Sequence, residues 1–286
     1  QARRIVDRLL GYKISPILWK QLTSNFTKGK SLSAGRVQSV VNHLLQLREQ
    51  EIKNFESKSQ YIVNASFECI NNTKNIIDAK GTKPLVTKEE TMEELERCKT
   101  KNFQVLSVKK STRELKARPP FITSTLQQEA SIRFHMSPKE TMAIAQKLYE
   151  TGHITYMRTD SVVLSKEAMG AIKNLIVSKY GKEYYKPKQF ANKSKNAQEA
   201  HEAIRPTRIN IENLNEYASL TQREKNLYKL IWQRTIASQM PSCFMDCIKL
   251  TIGQSKTDNL LFEAYAEKVK TMGFRSIYIQ AKEEEE

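Results

Sequence analysis

Apolar residues recur at helical spacing at the start of the chain. Ile5, Leu9 and Leu10 predict a helix over residues 2–10, with Gly11 as its stop. Val37, Val41, Leu44 and Leu45 predict a second helix over 36–50. The period then falls to two. Tyr61, Val63, Ala65, Phe67 and Cys69 mark a half-buried strand. Weaker strand patterns follow at 75–80 and 103–109, with a short acidic helix predicted at 87–99. From about 121 to 240 the helical period returns. Thr123 or Ser124 is positioned to cap a helix through 134. Ser137 and Glu140 form a predicted capping box around Pro138, opening a helix that ends at Gly152. A short HITYM segment and a polar RTDS turn come next. Ser165 caps a further helix to Gly181, a basic loop covers 182–198, and Thr221 with Glu224 opens a helix to about Gln239. After Pro241 the strand period reappears in Ile248, Leu250 and Ile252, with extended segments also predicted at 259–266 and 275–280.

Strands therefore flank a helical block. Neighbouring antiparallel strands usually share a sheet, so the economical arrangement is one β domain interrupted by an inserted α domain. The two connections of such an insertion lie side by side, and the inserted part can move about them as a rigid body.

Composition adds a partner class. The 286 residues carry 47 Lys and Arg against 31 Asp and Glu, a net charge of +16. A surplus of this size suits a polyanion such as a phosphodiester backbone, whose counterions are released on binding; a merely Lys-rich surface is the plainer alternative. Hydrophobic content of 39% supports packed cores. The four cysteines, Cys69, Cys98, Cys243 and Cys247, are read as ordinary thiols, because a C-x3-C pair alone lacks the four ligands of a structural zinc site. No apolar run reaches the roughly 20 residues of a membrane span, and no signal peptide is visible. The chain opens without Met and ends in Glu283–Glu286, which we read as an excised piece of a longer protein.

Four polar clusters are candidates for chemistry. His153 to Ser161 contains Tyr156 two residues before Arg158, so an extended backbone puts both on one side. A phenol titrates near pH 10 and needs a cation to stabilise its anion, and Arg158 is also suited to phosphate oxygens. Gln198 to Pro206 contains His201 and Arg205, one turn apart if the segment is helical; histidine suits proton transfer near neutrality. Ser31 to Ser39 places small residues at a helix start, where backbone N–H groups can approach phosphate, with Arg36 and Gln38 as added donors. Arg3, Arg4 and Arg8 with Asp7 make a basic helix edge. On chemistry alone a surface turn, a solvated helix end, an ordinary capped helix and a solvated basic face are the favoured readings of the four.

Taken in order along the chain, five segments resemble the type IA DNA topoisomerases of the bacterial topoisomerase I kind. They are QARRIVDRLLGYKISPILWK, SLSAGRVQS, PPFITSTLQQEAS, GHITYMRTDS and QEAHEAIRPT. TYMRTDS and AHEAIRP are specific individually.

The resemblance implies a multidomain α+β fold, a toroid whose β-rich arch is interrupted by an all-α domain bearing the active-site tyrosine. Residues 1–55 would be part of a helical base domain, 56–120 and 241–282 the arch, and 121–240 the inserted domain. Tyr156 would attack a phosphodiester of single-stranded DNA and form a 5′-phosphotyrosine intermediate, permitting ATP-independent relaxation of negatively supercoiled DNA by single-strand passage. Arg158 would hold the scissile phosphate and His201 would assist by hydrogen bonding. Arg3, Arg4, Asp7, Arg8, Ser33, Arg36, Gln38, Asp160, Ser161 and Arg205 would contact DNA. The family holds Mg2+ in a preceding Toprim domain that the chain does not include, so no metal ligand is expected here and the fragment is expected to be incomplete for relaxation. A monomeric, cytoplasmic, nucleoid-associated parent without membrane contact is implied. A non-catalytic single-stranded DNA-binding module is the competing reading. A tyrosine recombinase would place its tyrosine after an Arg-His-Arg set, whereas Tyr156 precedes His201.

Overall fold

In the computed structural model the described residues are 1–26, 32–70, 72–99, 102–191, 201–255 and 260–279, with side chains of 22–26 and 72–75 left aside. Ser31, Gln198, Glu199, Ala200 and part of the basic loop lie outside them. The chain divides into two compact units, Gln1–Tyr61 with Leu85–Lys88, and Ile62–Pro84 with Glu89–Glu286.

The first unit is built on α1 (Ala2–Phe26) and α2 (Arg36–Asn54). Gly11 does not stop α1, and Pro16 lies inside it. Both residues weaken a helix taken alone, but at Gly11 a tertiary contact uses the missing side chain. The Ala34 carbonyl lies 3.6 Å from where a Cβ on Gly11 would sit. Ala34 N–H donates to Ser15 Oγ at 3.1 Å, and the Trp19 indole N–H donates to the Leu32 carbonyl. The 32–35 segment is thus laid along α1 and delivers α2. The predicted apolar stripe of α2 is present but unburied: Val37, Val41, Leu44 and Leu45 are all exposed.

The second unit carries a five-stranded antiparallel sheet, β1 (Asn64–Cys69), β2 (Asn72–Gly81), β3 (Gln104–Leu115), β4 (Cys243–Gly253) and β5 (Phe262–Thr271), in the order β1-β2-β5-β4-β3. The two strands that follow the helical block are therefore inserted between β2 and β3, which precede it. Phe67, Phe103 and Phe262 meet with ring centroids 5.1 to 5.8 Å apart and tie the sheet's outer strands to its centre. The predicted acidic helix is α3 (Lys88–Lys99). Residues 273–276 form a 3-10 turn instead of the expected extended segment. Gly273 has φ +49°, and the turn buries Phe274 and Tyr278 together.

The helical block comprises α4 (Thr123–Phe134), α5 (Pro138–Glu150), α6 (Lys166–Tyr180) and α7 (Gln222–Ser238). Ser165 Oγ caps α6 through Ala168 N–H, and Thr221 with Glu224 forms the reciprocal box on α7. On α5 only half the expected box forms. Ser137 Oγ accepts from Glu140 N–H, but the Glu140 carboxylate turns to Arg223, 3.1 Å away. On α4 the capping position is Ile122, so neither Thr123 nor Ser124 serves as the cap. Leu126, Leu148, Ile172, Tyr228, Ile231 and Trp232 fill the core between these helices.

One buried polar network locks the entrance of the block to its exit. Glu129 takes Arg133 Nε at 2.7 Å and the Tyr278 hydroxyl at 2.7 Å. Arg234 donates to that hydroxyl at 3.1 Å and to the Pro119 carbonyl at 2.7 Å. Its guanidinium also lies over the Phe121 ring at 4.9 Å. Each buried polar group of this chain, Glu129, Tyr278 and Arg234, has a partner, as burial requires.

Candidate active site

Three connecting segments of the second unit converge. Residues 153–155 pair with 203–207 as a short two-stranded ribbon: Thr155 N–H donates to the Arg205 carbonyl at 2.9 Å, and Thr207 N–H to the His153 carbonyl at 3.0 Å. The Thr155 hydroxyl adds a bond to the Ala203 carbonyl at 2.7 Å and accepts from Arg205 N–H at 2.9 Å. The 203–204 stretch is held from its other sides by Ala203 N–H to the Val163 carbonyl and Ile204 N–H to the Phe121 carbonyl, both 2.9 Å. Residues 201–207 are thus extended, not helical. His201 and Arg205 are not stacked one turn apart.

The loop that follows Thr155 alternates in and out although it joins no sheet. Met157, Thr159 and Ser161 are buried, while Tyr156, Arg158 and Asp160 are exposed. The expected sidedness of Tyr156 and Arg158 holds for that reason. Tyr156 is 37% exposed and its ring contacts two others. Tyr149 packs edge-on at 5.3 Å and 69°, and the His201 ring lies at 5.8 Å and 36°. The Tyr156 hydroxyl has no hydrogen bond among the described residues.

Arg158 has no ion pair or hydrogen bond among the described residues. It lines a shallow open groove with Ile122, Thr123, Ser124, Gln127 and Asp160. A guanidinium presented without a partner on an open groove is available to an anion. Ser161 is placed differently: it is buried, and its hydroxyl accepts from Val163 N–H at 3.3 Å. Arg205 is also committed internally. It contacts Glu202 at 2.6 Å with its side chain 14% exposed and donates to the Pro206 carbonyl at 2.9 Å. Behind the ribbon, His153 packs edge-on against Tyr217 at 4.8 Å, and burial, then Arg208, hold its imidazole below the usual histidine range.

The first unit holds the remaining sequence candidates. Arg36 grips Asp7 through two bonds of 2.6 and 3.0 Å, and this hydrogen bonding lowers the Asp7 carboxyl from its ordinary range. Asp7 therefore braces Arg36. Ser33 Oγ donates to Gln38 Oε1 at 3.4 Å. Arg8 lies over the Tyr12 ring at 5.8 Å, and Arg3 shares an open surface with Arg36, Val37 and Val41. Arg4 is exposed. Thr155, Thr123 and Tyr149 were not singled out from the sequence as site residues. Thr123 and Thr155 fall within two of the five quoted segments, which was the available signal.

The family model described as DNA topoisomerase matches residues 1–286. The DNA topoisomerase 1 of Rickettsia bellii is 40% identical over 304 residues, covering 100% of this chain and 37% of that protein. The prokaryotic-type DNA topoisomerase 1 of Acanthamoeba polyphaga mimivirus is 40% identical, covering 98% of this chain and 35% of that one. The solved full-length topoisomerase I of Thermotoga maritima matches with a TM-score of 0.77 and 32% identity, over 99% of this chain and 46% of that one. The chain thus spans little more than a third of the length of these two curated relatives. With the motifs in order, the sheet and helical block in place and the whole chain matched, it belongs to the family of bacterial-type (type IA) DNA topoisomerases.

Proposed function

We propose that this chain is the strand-cleaving segment of a type IA topoisomerase, with Tyr156 as the nucleophile on single-stranded DNA. The observation that carries the reading is the outward Tyr156 hydroxyl, free of hydrogen bonds, with Arg158 exposed two residues on and His201 against its ring. In the covalent step Tyr156 Oη attacks phosphorus. An Oη–P bond forms as the bond from phosphorus to the 3′ oxygen breaks. The phenolic proton leaves and the 3′ oxygen gains one, giving a 5′-phosphotyrosine and a 3′ hydroxyl. Religation is the reverse, so the bond energy is conserved and no ATP is needed. Arg158 stabilises the charge on the phosphate; His201 hydrogen-bonds beside the break.

Among the described residues no three His, Cys, Asp or Glu side chains converge to hold a metal ion. The described residues thus offer no Mg2+ site, and the reading assigns that ion to a Toprim domain of the parent. The net charge of +16 suits the phosphate backbone. A monomeric, cytoplasmic, nucleoid-associated parent goes with the same reading.

The test is Tyr156→Phe in the full-length parent, incubated with end-labelled single-stranded DNA. The expected result is loss of the covalent adduct with DNA binding retained, and in the wild type a label pattern that places the link on the 5′ phosphate. An adduct that survives the substitution, or a link to the 3′ phosphate, overturns the reading.

A further inference from the structure

We infer that Thr123 is a positioning residue for Arg158, locking the backbone on both sides of that arginine to the first turn of α4; the inference rests on the cleavage reading above. The geometry is reciprocal. Thr123 N–H donates to the Thr159 carbonyl at 3.0 Å, and Thr159 N–H donates back to Thr123 Oγ1 at 3.0 Å. The single hydroxyl proton of Thr123 is directed at the Met157 carbonyl, 2.7 Å away, with the Thr159 carbonyl at 3.1 Å. A hydroxyl has one donor and two acceptor sites, and both kinds are used here.

These bonds end on the residues before and after Arg158 and leave Arg158 itself unengaged. Met157 and Thr159 are buried at 0% and 6% exposure, so the loop is gripped at its two inward positions while the guanidinium projects outward. The hydroxyl has no competing duty in the helix. The capping position is Ile122, whose N–H is satisfied by the Thr125 hydroxyl at 3.0 Å. A threonine in the first turn of α4 has thus been diverted from capping to holding a loop.

The anchor is stiff. α4 is fixed by buried Leu126 and Ala130 and by the Glu129, Tyr278 and Arg234 network. The groove lined by Arg158 is also lined by Ile122, Thr123 and Ser124. The clamp therefore sets where the guanidinium stands relative to that groove. A site built on a loop gains its precision from such support, and a displacement of about 1 Å in a reacting group costs on the order of 100-fold in rate.

The experiment uses the full-length parent and single-turnover cleavage of saturating single-stranded DNA. Thr123→Val keeps the shape and removes the hydroxyl; it is expected to slow cleavage about 10- to 100-fold. Thr123→Ser restores the hydroxyl and is expected to restore the rate. In an Arg158→Ala background Thr123→Val is expected to cause no further loss, because the clamp acts through Arg158; a general structural defect would slow both backgrounds equally. Should the valine variant melt below the assay temperature, hydrogen exchange of the Thr159 amide in the wild type decides, and strong protection is expected. Wild-type cleavage by Thr123→Val, equal losses in both backgrounds, or an unprotected Thr159 amide overturns the clamp. Tyr156→Phe is run beside them: if it still forms the adduct, the cleavage reading fails, whereas its loss together with a wild-type Thr123→Val rate brings down the clamp alone.

Discussion

The imidazole of His201 lies against the phenol ring of Tyr156, with centroids 5.8 Å apart and planes 36° from parallel. Nothing local in the sequence joins them. The ribbon between 153–155 and 203–207 brings them together, through backbone bonds at Thr155, Arg205 and Thr207. In the proposed reaction His201 is then the ring best placed to hydrogen-bond beside the break. His201→Gln in the full-length parent is expected to slow single-turnover cleavage by about 100-fold, the cost typical of losing one donor at a charged transition state. DNA affinity should be unchanged. A cleavage rate equal to wild type would remove His201 from the chemistry.

Arg158 and Arg205 are expected to behave differently in DNA binding. Arg158 is exposed and unpaired among the described residues, whereas Arg205 is tied to Glu202 and the Pro206 carbonyl. Arg158→Ala should flatten the dependence of log affinity on log salt by about 0.7, the release associated with one phosphate of a single strand. Arg205→Ala should leave that slope alone and instead lower stability by roughly 1–3 kcal/mol, because Glu202 and a backbone carbonyl lose their partner. Salt titration of DNA binding and urea denaturation separate the two; a reduced slope for Arg205→Ala would return it to the DNA interface.

Gly273 is a second structural test. Its φ is +49°, and a Cβ there would lie 2.3 Å from the Ser242 carbonyl oxygen and 2.5 Å from that of Pro241. Both contacts are with backbone that cannot step aside. Gly273→Ala is expected to cost roughly 2 kcal/mol or more, read as a lower urea midpoint with an unchanged m value. A neutral substitution would mean that the 3-10 turn is not held as described.

His153 makes stability depend on pH. Burial, then Arg208, keep its proton affinity below that of an unfolded histidine. Above about pH 6.5 the residue is neutral in both states and contributes no pH dependence. As pH falls through that value the unfolded chain takes up a proton that the fold resists, so stability declines on acidification. Thermal melting between pH 7.5 and 5.5 should show a falling Tm, and His153→Gln should flatten it. An equal slope in both proteins would locate the effect elsewhere.

What the sequence by itself determined was local chemistry. Ser165 and Thr221 start their helices where the capping residues stand, because a cap satisfies N–H groups only two or three residues away. The alternation around Val63 to Cys69 announced a strand for the same short-range reason, and five ordered segments announced the family. Where a signal needed a distant partner it failed. Gly11 reads as a stop locally, but the 32–35 segment packs against α1 and the helix runs on; residues 201–207 leave helix or strand open locally, and Thr155, Val163 and Phe121 take their backbone bonds and make them extended. Backbone hydrogen bonds are chemically alike whichever partner they find. The choice of Phe121, Val163 and Thr155 as partners was made by packing across the chain. So was the insertion of β4 and β5 between β2 and β3. Tyr156 and Arg158 were therefore legible in the sequence as candidates, whereas the neighbours of Tyr156, Tyr149 and His201, and the hold of Thr123 on the loop beside it, were decided only in three dimensions.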